Sequence, residues 1–380
     1  MPKLVYILPV LVLLVAFGIP DNDLISEQES RIYNRSAALD SLVYKLKHKQ
    51  ELTILHIGDS HIEMRAFPEG IRESFQNEGI STDKGWFLPA GIFHELYDAG
   101  FEVTRQSEPF RTENARTINP EISLGLTGRT FALENDENRI CISSKTALTE
   151  LEILHDTRDD LQIKVSGRKG KRATVELQEI SPGYTVTKII LPASCSKFEL
   201  RFSKKKADRV QFYGFRVKTA IVHYSNFGLS GGKFEHLCLA RDLQKQAAAL
   251  RPDLVIVTLG TNDSYQTSLD TTAFKAKLQF LVREIRLASA NAEFVFMTAP
   301  DTKYKGNKPV HQPFVNRSIK AFCDEFHFAY WDWNAVMGGE NSIQKWENSP
   351  LRYGDYLHFS PEAYRMFGLA FGEALLETQR

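Results

Sequence analysis

The sequence predicts an α/β fold whose parallel sheet is interrupted by an inserted antiparallel β-sandwich. An apolar strand, Glu51–Ile57, runs directly into Gly58-Asp59-Ser60, and a helical pattern follows over Phe67–Asn77. From about Phe101 to Val217 the texture changes to short, partly alternating β-rich segments separated by turn residues. After Thr219 alternating helices and strands return. At 380 residues the chain exceeds one ordinary core, which agrees with about two domains. Its hydrophobic (43%) and charged (25%) fractions are those of a globular protein and exclude a disordered or fibrous chain.

Taken in order, residues 1–20 read as a signal peptide or an uncleaved membrane anchor. Met1-Pro2-Lys3 carries one positive charge, and Leu4–Ile19 contains no charged residue. The run is slightly short of the roughly 20 residues of a comfortable span, and no cysteine follows it to accept a lipid. Either reading places the body across a membrane, periplasmic or extracellular. Residues 21–100 form the first part of the α/β domain, opening with an amphipathic helix over Ile32–Lys49. Residues 101–218 form the insert, with strands at Arg139–Ser143, Leu148–Leu154, Leu161–Val165, Ala173–Ile180, Val186–Leu191, Lys197–Phe202 and Val210–Val217. Residues 219–380 complete the α/β domain with helices at Phe234–Leu250, Phe274–Leu287 and Val315–Phe326 and buried strands at Leu254–Leu259 and Glu293–Thr298. The last helix, Pro361–Leu376, has Ser360 as N-cap and proline in its first turn.

Formal net charge is zero, and the basic runs Arg168–Arg172 and Lys204–Lys206 fall between strands as solvated turns, so nucleic acid is not an expected partner. The four cysteines, Cys141, Cys195, Cys238 and Cys323, show no CxxC spacing, and the ten histidines form no HExxH. No metal or cofactor is expected. Export makes a Cys141–Cys195 disulfide available within the β-rich stretch, although small buried hydrophobes account for all four cysteines.

Chemistry concentrates in four separated blocks: Gly58-Asp59-Ser60-His61, Gly228-Leu229-Ser230-Gly231-Gly232, Leu259-Gly260-Thr261-Asn262-Asp263 and Asp355-Tyr356-Leu357-His358. Each alone is an ordinary turn or cap. Together they all lie at strand ends or before helices, where open α/β sheets build their sites. A serine at a strand-to-helix turn exposes its hydroxyl near the positive end of a helix. It needs a base, which neutral His358 supplies near pH 7, and a carboxylate such as Asp355 holds the imidazole in one tautomer.

These blocks, in this order, resemble the SGNH (GDSL-type) hydrolase superfamily over about residues 51–90 and 219–376. The resemblance implies a three-layer, flavodoxin-like parallel sheet. It implies Ser60 as nucleophile, His358 as general base and Asp355 as its orienting acid. The Ser60 and Gly231 N–H groups and the Asn262 side-chain amide would be oxyanion-hole donors. A sandwich between the serine and glycine blocks, with Phe212-Tyr213-Gly214-Phe215-Arg216-Val217 leading back towards Val222, resembles the peptidoglycan O-acetylesterases and O-acetyltransferases. That implies a carbohydrate-binding-module-like insert and a serine esterase that removes O-acyl groups, O-acetyl first among them, from peptidoglycan or another polysaccharide.

Three other readings stay open at this level. Acyl transfer to a glycan would use the same acyl-Ser60 intermediate. A non-catalytic glycan-binding protein would use the insert, with Trp86, Tyr184 and Tyr213 as candidate sugar contacts unless they are core. Finally, Gly228-Leu229-Ser230-Gly231-Gly232 fits the G-x-S-x-G elbow and would make Ser230 the nucleophile, leaving the Ser60 and Asn262 blocks without a role.

Overall fold

A computed structural model describes residues 24–33, 36–93, 100–105, 109–116, 124–157, 160–166, 173–240, 242–349, 351 and 353–378. The apolar N-terminal stretch and the basic run at 168–172 lie outside the described residues. Among the described residues no helix is long and apolar enough to cross a membrane.

A seven-stranded sheet forms the middle layer. Its order is Ile32–Tyr33, Ala329–Trp331, Glu293–Met297, Leu254–Thr258, Leu52–Gly58, Val222–Gly228 and Thr82–Asp83. All neighbours are parallel except the first pair. Strand alternation divides the core between two faces. Leu52, Ile54, Leu254, Ile256, Val295 and Met297 pack under the helices Ala37–Lys47, Ala66–Asn77 and Pro361–Glu377. Leu55, Ile57, Val255, Val257, Phe294 and Phe296 pack under Leu243–Leu250, Thr271–Ala288 and Gln312–Phe326. Continuous burial of Leu254–Thr258 and Glu293–Met297 is the consequence of helices on both faces. The three-layer α/β expectation holds.

Two elements differ from the sequence expectation. The first helix begins at Ala37 rather than Ile32, because the Ser36 side chain caps it at the Ala38 N–H. Ile32–Tyr33 instead forms the antiparallel edge strand, with Tyr33 stacked on Tyr330 at 4.7 Å. The helix expected over Phe234–Leu250 divides into Phe234–Leu237 and Leu243–Leu250. Asp242, in the break, has non-helical backbone and accepts a hydrogen bond from the Tyr184 hydroxyl at 2.9 Å.

The second sheet is antiparallel and nine-stranded. Four expected strands are in fact two long ones, Glu137–His155 and Tyr184–Lys204. Their pairing shifts register between Ile190 and Lys197, a bulge that lets both strands bend. Residues from both halves, including Ile140, Ile142, Leu151, Ile153, Ile189 and Phe202, meet in one core, so the sheet folds back on itself. Phe101–Arg105, Arg111–Asn114 and Arg129–Leu133 are further strands, and Trp86–Phe87 also joins this sheet against Val210–Arg216, ahead of position 101.

Register and burial decide two readings that the sequence left open. Cys141 lies opposite Glu199 and Cys195 opposite Leu148, so the two sulfurs do not meet, and all four cysteines are free. Trp86, Tyr184 and Tyr213 are only 1%, 4% and 4% exposed and share a core with Leu55, Ile57 and Phe227. They seal the insert to the α/β domain and offer no face to a sugar.

Helices Ala66–Asn77 and Pro361–Glu377 cross where glycine meets glycine. A Cβ on Gly368 would lie 2.1 Å from the Phe67 carbonyl oxygen, and one on Gly70 would lie 2.3 Å from that of Arg365. Gly368→Ala should therefore push the helices apart, costing about 1–3 kcal/mol from overpacking. Thermal denaturation should show a midpoint several degrees lower; an unchanged midpoint would mean the crossing yields without strain.

Candidate active site

The three central strands end side by side. Gly58 is paired with Gly228 on one edge and Thr258 on the other. Leu52–Gly58, the first of the parallel strands, thus has later strands on both sides, the switch point at which such sheets open a crevice. From these ends emerge the loops bearing Ser60, Gly231 and Asn262. Gly228 has no room for a side chain, since a Cβ would stand 2.2 Å from the Glu63 nitrogen. Its bareness lets the short helix Ser60–Glu63 lie across the neighbouring strand end.

Asp59 precedes that helix and caps it, Oδ1 accepting the His61 N–H at 3.0 Å. Ser60 is its first residue. From the far end of the chain, His358 Nε2 stands 2.8 Å from Ser60 Oγ, and Asp355 Oδ2 accepts from His358 Nδ1 at 2.6 Å. The turn that the spacing demands is visible: Tyr356 takes a left-handed φ of 55°. This brings Asp355 Oδ1 onto the Leu357 and His358 N–H groups at 3.0 and 2.9 Å. Partial burial works to raise the Asp355 pKa, but the backbone and ring N–H donors of His358 outweigh it and hold the carboxyl below its ordinary value. A charged Asp355 keeps the proton on Nδ1 and leaves Nε2 free to accept from the serine.

Two rings flank His358. Tyr353 meets it edge-on with centroids 6.1 Å apart, and His61 lies 5.7 Å away. His61 is buried, its Nδ1 2.6 Å from the Tyr364 hydroxyl. Burial, with the neighbouring His358, lowers its pKa to about 3, so it stays neutral and does not compete as the base.

The Asn262 Nδ2 group donates to the Gly232 carbonyl at 3.0 Å and to Asp59 Oδ2 at 3.3 Å, tying the third loop to the first two. Gly231 takes φ 71°. Among the described residues, neither the Gly231 nor the Ser60 N–H has a hydrogen-bond acceptor. Ser230 lines an adjoining cleft, but the histidine is engaged by Ser60. The elbow reading, with Ser230 as nucleophile, has no base in this geometry. Such an arrangement can deprotonate a serine hydroxyl and offer three donors to a developing oxyanion. Among the described residues no group of three or more His, Cys, Asp or Glu side chains is placed to hold a metal ion.

Residues 206–366 match the GDSL-like lipase/acylhydrolase family. The chain carries a GDSL-like acylhydrolase domain. It is an enzyme of the hydrolase class. The matched span holds Gly231, Asn262, Asp355 and His358, and the central strand brings Ser60 to them from outside it. A solved structure of a peptidoglycan O-acetylesterase has a TM-score of 0.74 at 18% identity, covering 90% of this chain and 97% of that one. This is a likeness of fold, and its coverage takes in the inserted sheet. A family two carbohydrate esterase from Clostridium thermocellum, in complex with cellohexaose, has a TM-score of 0.31 at 13% identity, covering 66% and 97%. No curated protein matches the chain.

In this acylhydrolase the sequence blocks understate two groups. Arg129, from the insert, donates to the Gly228 carbonyl at 2.7 Å and pairs with Glu63 on the Ser60 helix. No motif marks it, since its role arises only from the docking of two domains. Asp59 and Asp263 are the other pair, both inaccessible to solvent. Burial raises each from 3.8 to about 7, and the charge of Asp263 adds to the rise at Asp59. A carboxyl with a raised folded pKa favours the fold most while protonated, so its contribution is lost as pH climbs from the unfolded towards the folded value. Thermal stability of the acylhydrolase should decline between about pH 4 and pH 7, and Asp263→Asn should flatten that slope. Melting curves across the range check it, and an identical slope in the variant would assign the titration elsewhere.

Proposed function

We propose that this enzyme is a serine esterase that removes O-acyl groups, O-acetyl foremost, from an envelope or extracellular polysaccharide through an acyl-Ser60 intermediate. The observation that carries the reading is the hydrogen-bonded line from Ser60 through His358 to Asp355. Support for the substrate class comes from a fold neighbour that is itself a peptidoglycan O-acetylesterase, together with an apolar N-terminal stretch suited to export.

In the first half-reaction His358 Nε2 takes the Ser60 proton as Oγ bonds to the acyl carbon. The carbonyl oxygen becomes an anion and accepts from the Ser60 and Gly231 N–H groups and Asn262 Nδ2. The longer Asn262 contact, to Asp59, is the one the oxyanion replaces. His358 then returns the proton to the departing glycan oxygen, the C–O ester bond breaks, and a free glycan hydroxyl leaves. In the second half-reaction His358 deprotonates water as it attacks the acyl carbon, the Oγ–acyl bond breaks, His358 returns the proton to Ser60 Oγ, and the acid leaves. Asp355 stays charged throughout and stabilises the imidazolium. His61, neutral and buried, supports the base from behind.

Acetate release from an aryl acetate and from O-acetylated glycans tests this scheme. Ser60→Ala should lower turnover by about 10⁴-fold or more, with the Ser230→Ala variant still forming the acyl-serine. Loss confined to Ser230→Ala would move the nucleophile, and acyl groups appearing on a second glycan would redirect the reaction to transfer. Asn262→Ala should lower kcat by about 100- to 1000-fold through the lost oxyanion donor. A change in KM alone would instead give Asn262 a substrate-binding role.

A further inference from the structure

The insert also reaches the mouth of the site. Beyond strand Arg111–Asn114, the Ala115 N–H donates to the Gly128 carbonyl at 2.7 Å and the Arg116 N–H to Asn114 Oδ1 at 2.9 Å. Ala115 and Leu124 pack on Leu229 in a small buried cluster of their own. Leu229 is two residues from Gly231, so this cluster joins the insert to the loop that supplies an oxyanion donor. Arg116 is thereby set against Gly231. A Cβ on Gly231 would touch its Nε at 3.5 Å and its Cζ at 3.7 Å.

Among the described residues, the Arg116 guanidinium meets no carboxylate and donates to no carbonyl, and the residue is exposed. It borders an open cleft of about 880 Å³. The charged lining of that cleft is Arg65, Arg116 and Arg129 against Glu63 and Glu69, a surplus of one positive charge. Glu63 is already paired with Arg129. Pro361, three residues after His358, and Ser230, next to Gly231, place the cleft against the reacting centre. A planar guanidinium held by its backbone, with no partner among the described residues, is suited to bidentate recognition of a carboxylate.

Resting on the proposed esterase function, we infer that Arg116 binds a carboxylate of the acylated glycan and makes the enzyme selective for acidic over neutral polymers. Arg116 is a specificity residue, with no part in bond making or breaking. Its partner carboxylate has two candidate sources, a uronic-acid ring or a peptide attached to the glycan.

The experiment compares kcat/KM for acetate release from three substrates: O-acetylated polygalacturonate, O-acetylated peptidoglycan fragments with free peptide carboxylates, and neutral acetylated xylan. The wild type should favour one of the acidic substrates, and which one identifies the source of the carboxylate. Arg116→Ala should lower the acidic-to-neutral ratio by about tenfold through KM, Arg116→Lys should restore part of it, and added salt should erode the wild-type preference. An unchanged ratio, or an equal fall on acidic and neutral polymers, would overturn the inference. Binding provides an independent arm: Ser60→Ala should be retarded by the acidic polymers in affinity electrophoresis, and Ser60→Ala/Arg116→Ala should not. If the wild type releases no acetate, the esterase reading fails, and this arm still decides the inference. Arg116-dependent retardation upholds it, and equal or absent retardation overturns it.

Discussion

The site depends on one close helix contact. Ser60 and His358 are 298 residues apart, and each is followed almost at once by a long helix, Ala66–Asn77 and Pro361–Glu377. Those helices lie against each other at Gly70 and Gly368, where backbone nearly touches backbone. Holding the helices at that distance also holds their N-terminal ends, and a 2.8 Å hydrogen bond between Nε2 and Oγ tolerates little drift. The aromatic layer around them, with Phe67, Trp333, Phe359 and Phe367 in edge and tilted contacts, fills the remaining space. Close packing of this kind turns a sequence-distant pair into a fixed geometry.

The insert belongs to this machinery. Its aromatic face, Trp86, Tyr184 and Tyr213, is spent on the seam, while Arg129 fastens the Gly228 carbonyl and the Ser60 helix from outside the α/β domain. Arginine suits that task because one planar fork reaches a carbonyl and a carboxylate together. Beneath the three loops, Asp59 is both helix cap and anchor for Asn262, so one buried carboxyl joins the serine and amide blocks. Its raised pKa reflects the cost of burying charge beside Asp263, a cost accepted where three loops must be tied at one point.

Legibility followed the range of the interactions. Strands such as Leu254–Thr258 and helices such as Pro361–Glu377 were readable because periodicity and local caps decide them. The edge strand Ile32–Tyr33 was not, since only Tyr330 across the sheet makes it a strand. The paired long strands of the insert looked like four, because the bulge near Pro192 interrupts the pattern without ending the ladder. Aromatic composition likewise could not tell a sugar platform from a domain seam, and burial alone put Trp86, Tyr184 and Tyr213 in the seam.

By itself the sequence determined the α/β class, the presence of an added β-rich region, and the four loop blocks with their serine, glycine, asparagine and Asp–His residues. Each is a matter of local spacing: a glycine where a strand must turn, a cap before a helix, an acid three residues from a histidine. Tertiary structure alone decided that His358 faces Ser60 and not Ser230, that Cys141 and Cys195 stay apart, and that Arg129 and Arg116 arrive beside the loops from another domain. Those outcomes depend on sheet register, helix crossing and domain docking, in which residues far apart in the chain share the free energy of one contact.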